Sequence, residues 1–275
     1  MTRIRLGDGV GEGSWIFHSR FPRSVNFYDG ADLVSVVPPE TGAGPHAVVM
    51  ERLPGGETPR LTVGGGRLEI ADRRYSFTAG DVYHSRPVWG VPEASRLAAG
   101  IGSLKAFMRR HAPDGSLARW MDGAPRKAMV SAFDRELMVR LIEGKALLLG
   151  DDPAAGARLL HGAGRGLTPA GDDFIAGMLH GWRLRESWWG IPRAARIDAV
   201  YAECRAAGNP FVATFLREAR DGRVFERLEH VVRALLDGSS GAVEIAAARL
   251  FAVGATSGAD LAAGLVTALE NGNKD

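Results

Sequence analysis

Cysteine is all but missing from this chain: Cys204 is the only one in 275 residues. A single thiol excludes an internal disulfide and a cysteine-based metal site. Its neighbours are ordinary helical residues, so it reads as an inert, buried or half-buried thiol. No apolar run approaches the ~18 residues of a membrane span, and no signal-peptide pattern is read at the start. The expectation is a cytoplasmic protein with no membrane partner. An excess of one charge is missing too. Lys and Arg number 34 against 32 Asp and Glu, for a formal net charge of +2. No block of five or six basic residues occurs, and Arg109-Arg110-His111 has no interleaved aromatics, so nucleic acid is not an expected partner. Also absent are the Gly-x-x-x-x-Gly-Lys-Ser/Thr phosphate loop, His-Glu-x-x-His and the Gly-x-Ser-x-Gly nucleophile elbow.

What remains is an ordinary globular composition, 45% apolar, on a length that suits one large domain or two small ones. The first ninety residues hold short runs rich in β-branched and aromatic side chains, such as Val25-Asn26-Phe27-Tyr28, Leu33-Val34-Ser35-Val36-Val37, Ala47-Val48-Val49-Met50 and Leu68-Glu69-Ile70. Gly, Pro, Asp and Asn separate them, which predicts an antiparallel sheet or small barrel. Gly64-Gly65-Gly66 suits a hairpin turn. From residue 92 the period becomes helical. Leu97, Ile101, Leu104 and Met108 form one apolar stripe. A second helix is predicted over 125–143 with Gly144 as its stop, then an apolar turn or short strand at Leu147-Leu148-Leu149. Asp152-Pro153 starts another helix. Further helices are predicted over 172–188, 192–207, 211–220, 224–236, 242–253 and 261–270, with a frayed tail at 271–275. The fold class is therefore α+β, with a β-rich domain over 1–91 and a helical domain over 92–275.

The helical part is organised around Gly162-Ala163-Gly164-Arg165-Gly166-Leu167-Thr168-Pro169-Ala170-Gly171-Asp172-Asp173-Phe174. A Gly-rich loop feeding a helix offers backbone N–H groups to an anion. Aspartates in the first turn interact with the same end of the dipole. Two in-helix glycines, Gly177 and Gly181, predict a close approach by another helix or a ligand. An echo follows at Gly254-Ala255-Thr256-Ser257-Gly258-Ala259-Asp260. Gly171 to Gly177 aligns without a gap with Gly258 to Gly264, and each stretch has a threonine upstream, Thr168 and Thr256. If the two helices pack at their glycines, the two loops face a common site.

Asp172, Asp173 and Asp260 are the candidate catalytic residues. They could hold magnesium as hard oxygen ligands, or one could act as an oriented base. Arg165, Gly166, Thr168, Gly171, Thr256, Ser257 and Gly258 are candidate contacts to a small anionic substrate. Arg20 and Arg86, from the repeated tripeptides His18-Ser19-Arg20 and His84-Ser85-Arg86, are candidate anion-binding side chains. Equally, Thr, Ser and Asp are ordinary caps and Gly an ordinary turn residue. Of seven histidines, only His161 and His180 flank the central loop, and for His180, two turns beyond Asp173, a supporting or solvated role is expected rather than metal ligation.

Gly164 to Phe174 resembles the signature GPGLTPSGDDFL of a bacterial family long filed as a domain of unknown function. Residues 254–260 resemble its second, C-terminal signature, and Ser24-Val25-Asn26-Phe27 its RAVNL strand, so the likeness extends over most of the chain. Arg165 stands where Pro is usual, and Ala170 where Ser is usual. The family includes the AllH-type subunit of oxamate carbamoyltransferase. The resemblance implies a carbamoyl or carboxyl transfer role with hetero-oligomeric partners of the FdrA-like type; a homo-oligomer is an open alternative. A magnesium-dependent hydrolase of a phosphate or amide and a non-catalytic assembly subunit also stay open.

Overall fold

The structure is a computed structural model that describes residues 4–56, 58–121, 131–205 and 208–270. The predicted residues 125–130, 206–207 and 271–275 lie outside them. The chain divides into two compact units, 1–87 with 223–226, and 88–222 with 227–275. The architecture is α+β, as the change of period predicts.

In the first unit, the strands run β1 (Ile4–Gly7), β2 (Gly13–Phe21), β3 (Ser24–Tyr28), β4 (Leu33–Val37), β5 (Ala47–Met50), β6 (Arg60–Gly64), β7 (Arg67–Ile70), β8 (Arg73–Ser76) and β9 (Val82–Tyr83). They form one open sheet in the order β8-β7-β6-β2-β3-β4-β5-β1-β9. Most neighbours are antiparallel; β4–β5 and β1–β9 are parallel. The sheet is thus mixed, and β1, absent from the predicted strands, supplies one of the parallel joints. Gly65 and Gly66, at φ +56° and +71°, make the β6–β7 hairpin, a conformation that only glycine adopts freely at both positions. Alternate side chains build the core: Ile4, Leu6, Val25, Phe27, Val34, Val36, Val48, Met50, Leu61, Val63, Leu68 and Ile70 are buried. Asn26, buried among them, donates to the hydroxyls of Ser19 and Ser24 and accepts from Ser35.

The second unit is helical: α1 (Ala94–His111), α2 (Ala132–Leu149), α3 (Pro153–Leu160), α4 (Ala170–Trp189), α5 (Ala194–Cys204), α6 (Pro210–Arg220), α7 (Glu226–Asp237), α8 (Ser240–Phe251) and α9 (Ser257–Glu270). Local chemistry explains several starts. Glu93 accepts from the N–H groups of Ser95 and Arg96, and Asp152 accepts from Ala155 with Pro153 behind it. Asn209 caps α6 before Pro210, so Gly208-Asn209-Pro210, expected as a helix end, opens one instead; α5 ends at Cys204. The predicted stop at Gly144 is corrected: α2 runs through it to Leu149, taking in the predicted strand or turn. Gly144 is there because Leu160 presses onto it, where an added Cβ would lie 2.6 Å from Leu160 Cγ. Gly156 returns the fit: a Cβ added there would lie 2.7 Å from Gly144 O. Among the described residues no helix is long and apolar enough to cross a membrane.

Candidate functional site

The site begins with a contact between two backbones. A Cβ on Gly177 would collide with Leu261 O, and a Cβ on Gly264 would collide with Phe174 O. At Gly181 it would stand 2.5 Å from the Ala268 Cβ. Hydrogen alone fits at these positions, so α4 and α9 cross in main-chain contact. That crossing brings their N-terminal turns together, as the echo in the sequence predicts.

Both turns follow one backbone plan. Ala163 N–H donates to Leu160 O and Val253 N–H to Leu250 O, each at 2.9 Å. Gly171 N–H then donates to Ala163 O at 2.7 Å, and Gly258 N–H to Val253 O at 3.2 Å. Asp172 and Asp173 donate to Pro169 O; Ala259 and Asp260 donate to Thr256 O. Gly171 and Gly258 each sit where a Cβ would strike a leucine carbonyl, that of Leu160 or Leu250. The equivalent pairs are therefore Pro169 with Thr256, Ala170 with Ser257, Asp172 with Ala259 and Asp173 with Asp260. Thr168 and Thr256, matched in the sequence, are not equivalent, because Thr256 takes the place of Pro169; the first turn is also three residues longer. These bonds also use the N–H groups of Gly171, Asp172, Asp173, Gly258, Ala259 and Asp260. The free anion cradle expected from them is not present in these six groups.

The three aspartates are all buried, at 1%, 1% and 0% exposure. Asp172 takes the His161 Nδ1 at 2.6 Å on one oxygen and the Gly162 N–H at 3.1 Å on the other. Burial raises its pKa, against the pull of His161. Asp173 accepts from the Thr168 hydroxyl at 3.2 Å, and that hydroxyl lies 3.0 Å from the Ser257 Oγ. Burial holds Asp173 well above the usual carboxylate range; the Ser257 hydroxyl opposes this, and the Asp260 charge adds to it. Asp260 accepts on Oδ1 from the Ser116 hydroxyl at 2.7 Å and the Leu117 N–H at 2.6 Å, which pins the short 3-10 turn Leu117–Trp120. Its Oδ2 is buried without a partner, and burial pushes its pKa up to about 6. Among the described residues, no three of His, Cys, Asp and Glu gather so as to hold a metal ion.

The other candidates divide by exposure. Arg165 is exposed and stacks its guanidinium 4.5 Å from the Phe133 ring centre. Gly164 and Gly166, at φ +125° and +101°, bend the loop around it. Asn209 ties down the tip by donating to Leu167 O at 2.6 Å. Thr168, Thr256 and Ser257 are half-buried, and Gly171 and Gly258 lie beneath them. Arg20 and Arg86 belong to the other unit. Arg20 donates to Pro54 O at 2.8 Å. Arg86 follows β9, and four strands separate β9 from the β2 of Arg20 in the sheet order, so the tripeptide repeat does not make neighbours. Ser85 is structural: with Asp8 and Arg223 it forms a part-buried network. His180 is buried, not solvated, and burial drives its pKa down to about 3. The Cys204 thiol is buried and pushed up to about 12, in keeping with an inert group. Sequence reading noted His161 beside the loop but not its pairing with Asp172, because the eleven positions that separate them include an irregular loop and no single element's period relates the two.

Residues 160–269 match a family model described as oxamate carbamoyltransferase subunit AllH. The matched segment opens on Leu160 and encloses both turns and the α4–α9 crossing. It does not reach the sheet, so the likeness of Ser24 to Phe27 to a family strand lies outside it. No curated protein and no solved structure matches the chain.

Proposed function

We propose that this chain is a carbamoyltransferase-related subunit, of the oxamate type, whose two helix-start turns hold a small anionic substrate. One observation carries the reading: the matched family segment coincides with the paired turns and their crossing helices. The exposed Arg165 guanidinium and the Thr168 and Ser257 hydroxyls are the donors that suit a carboxylate or phosphate. Substrate contact falls to this rim, because the aspartates beneath it are sealed from solvent. Magnesium is proposed as a companion of the phosphate, and FdrA-like subunits as the partners that complete the enzyme. The test is calorimetric titration of carbamoyl phosphate and of oxamate, with and without magnesium, into wild type, Arg165→Ala and Ser257→Ala. Both variants should bind at least about tenfold more weakly, the loss of one charged hydrogen bond. Equal affinity in all three proteins would overturn the site.

A second reading has its own support. Six N–H groups of the two turns are already bonded within them, which suits an assembly subunit that contributes no chemistry. It predicts that none of these ligands binds the isolated chain. It also predicts that Arg165→Ala supports full activity once partner subunits are added.

A further inference from the structure

We propose that His161 is the proton-transfer residue of this site and Asp172 the residue that positions it; the chemical step assigned to it rests on the carbamoyl-transfer reading. The buried Asp172 carboxylate is immobile, with His161 Nδ1 on one oxygen and Gly162 N–H on the other. A carboxylate at 2.6 Å takes the Nδ1 proton, which leaves the lone pair on Nε2. The His161 side chain is 26% exposed against 2% for that of Asp172, so of the two the imidazole meets the substrate.

The second turn supplies the control. It closes the same backbone steps, yet Phe251 stands at the position of His161 and Ala259 at that of Asp172. Phe251 packs edge-on against Phe107. The turn therefore needs neither the histidine nor the carboxylate in order to form. Both occur in the first turn and both are missing from the second, as expected of a pair that works together.

In the step assigned to it, an acceptor N–H attacks the carbamoyl carbon of a carbamoyl phosphate. A C–N bond forms, and the C–O bond to phosphate breaks with its electron pair leaving on phosphate. The acceptor's proton passes to His161 Nε2, and Asp172 stabilises the imidazolium that results. Solvent then removes that proton.

Four proteins test this: wild type, His161→Gln, Asp172→Asn, and the double variant His161→Phe/Asp172→Ala, which copies the second turn. In ¹⁵N-histidine NMR spectra, with the signal assigned by its loss in His161→Gln, wild-type His161 should show a protonated Nδ1 and a bare Nε2. Asp172→Asn should change that tautomer population. The double variant should melt within a few degrees of wild type. With partner subunits present, it and His161→Gln should lose about 10²-fold or more in kcat with little change in KM. A wild-type Nε2–H tautomer would overturn the proposal, as would full turnover by His161→Gln. Failure of wild type to bind or turn over a carbamoyl donor would strike the carbamoyl-transfer reading alone, leaving the tautomer to decide the pair.

Discussion

Residues 160–177 and 250–264 trace the same path with different side chains. Above its buried Asp172 and Asp173, the first stretch carries a part-exposed histidine, a stacked arginine and a glycine-bent tip. The second has no histidine or arginine at those positions, and its buried Asp260 fastens the Ser116–Leu117 segment. The backbone plan is indifferent to this division, because glycines and carbonyls specify it. Even the two buried acids are unequal. Asp173 has the hydroxyl of Ser257 from the opposing helix. The position equivalent to Ser257 is Ala170, which has no hydroxyl, and Asp260 Oδ2 has no partner. Asp173 has a hydroxyl from across the helix boundary, whereas the Thr256 hydroxyl beside Asp260 comes from its own turn.

The comparison breaks most severely at the crossing. Gly177→Ala and Gly264→Ala each force a methyl group into a facing carbonyl, and each should cost more than about 3 kcal/mol, at the upper end of overpacking. Gly241→Ala, with open space around it in α8, should instead be neutral or stabilise by up to about 1 kcal/mol. Urea denaturation measures both, and equal effects at the three positions would disprove the main-chain contact. Next in size is a pH dependence. Asp260 has a folded-state pKa of about 6, raised from an ordinary 3.8, so the folded state holds its proton more tightly than the unfolded chain. Its contribution to stability is complete below about pH 4 and falls as pH rises through about 6, by about 3 kcal/mol. Asp173 and Asp172, both raised, act in the same direction. Asp260→Asn should flatten that part of the slope in melts recorded from pH 4 to 8. Smallest is Ala170→Ser, which places a hydroxyl where the second turn has one. It should add about 1 kcal/mol and reduce the same slope; no change in either would show that positions 170 and 257 are not equivalent.

Much of this was legible in the sequence because it is written in glycine. Gly177 and Gly181 inside a helix have few explanations other than close approach, and their echo at Gly264 names the partner. Strands were readable from alternation, except β1, whose Ile-Arg-Leu stretch is too short to stand out. Length differences hid more. Thr168 stands three residues before Gly171 but Thr256 two before Gly258, so two like residues were matched that are not equivalent. Gly144 was misread because a glycine under a leucine and a glycine at a helix end look alike in one dimension. The free N–H groups were misjudged for a related reason: the acceptors that take them, Ala163 O, Pro169 O, Val253 O and Thr256 O, are main-chain atoms without a sequence signature. His161 has the same difficulty, since its meaning depends on a turn that folds Asp172 back onto it.

The main-chain crossing of α4 and α9 also divides the work of adaptation. No side chain mediates the contact at Gly177 and Gly264, so no rotamer change can widen or narrow the gap between the turns. Adjustment to a new substrate is left to the exposed bend at 164–168, tethered through Asn209. A library confined to those five positions should change what the site accepts while leaving the frame beneath it in place.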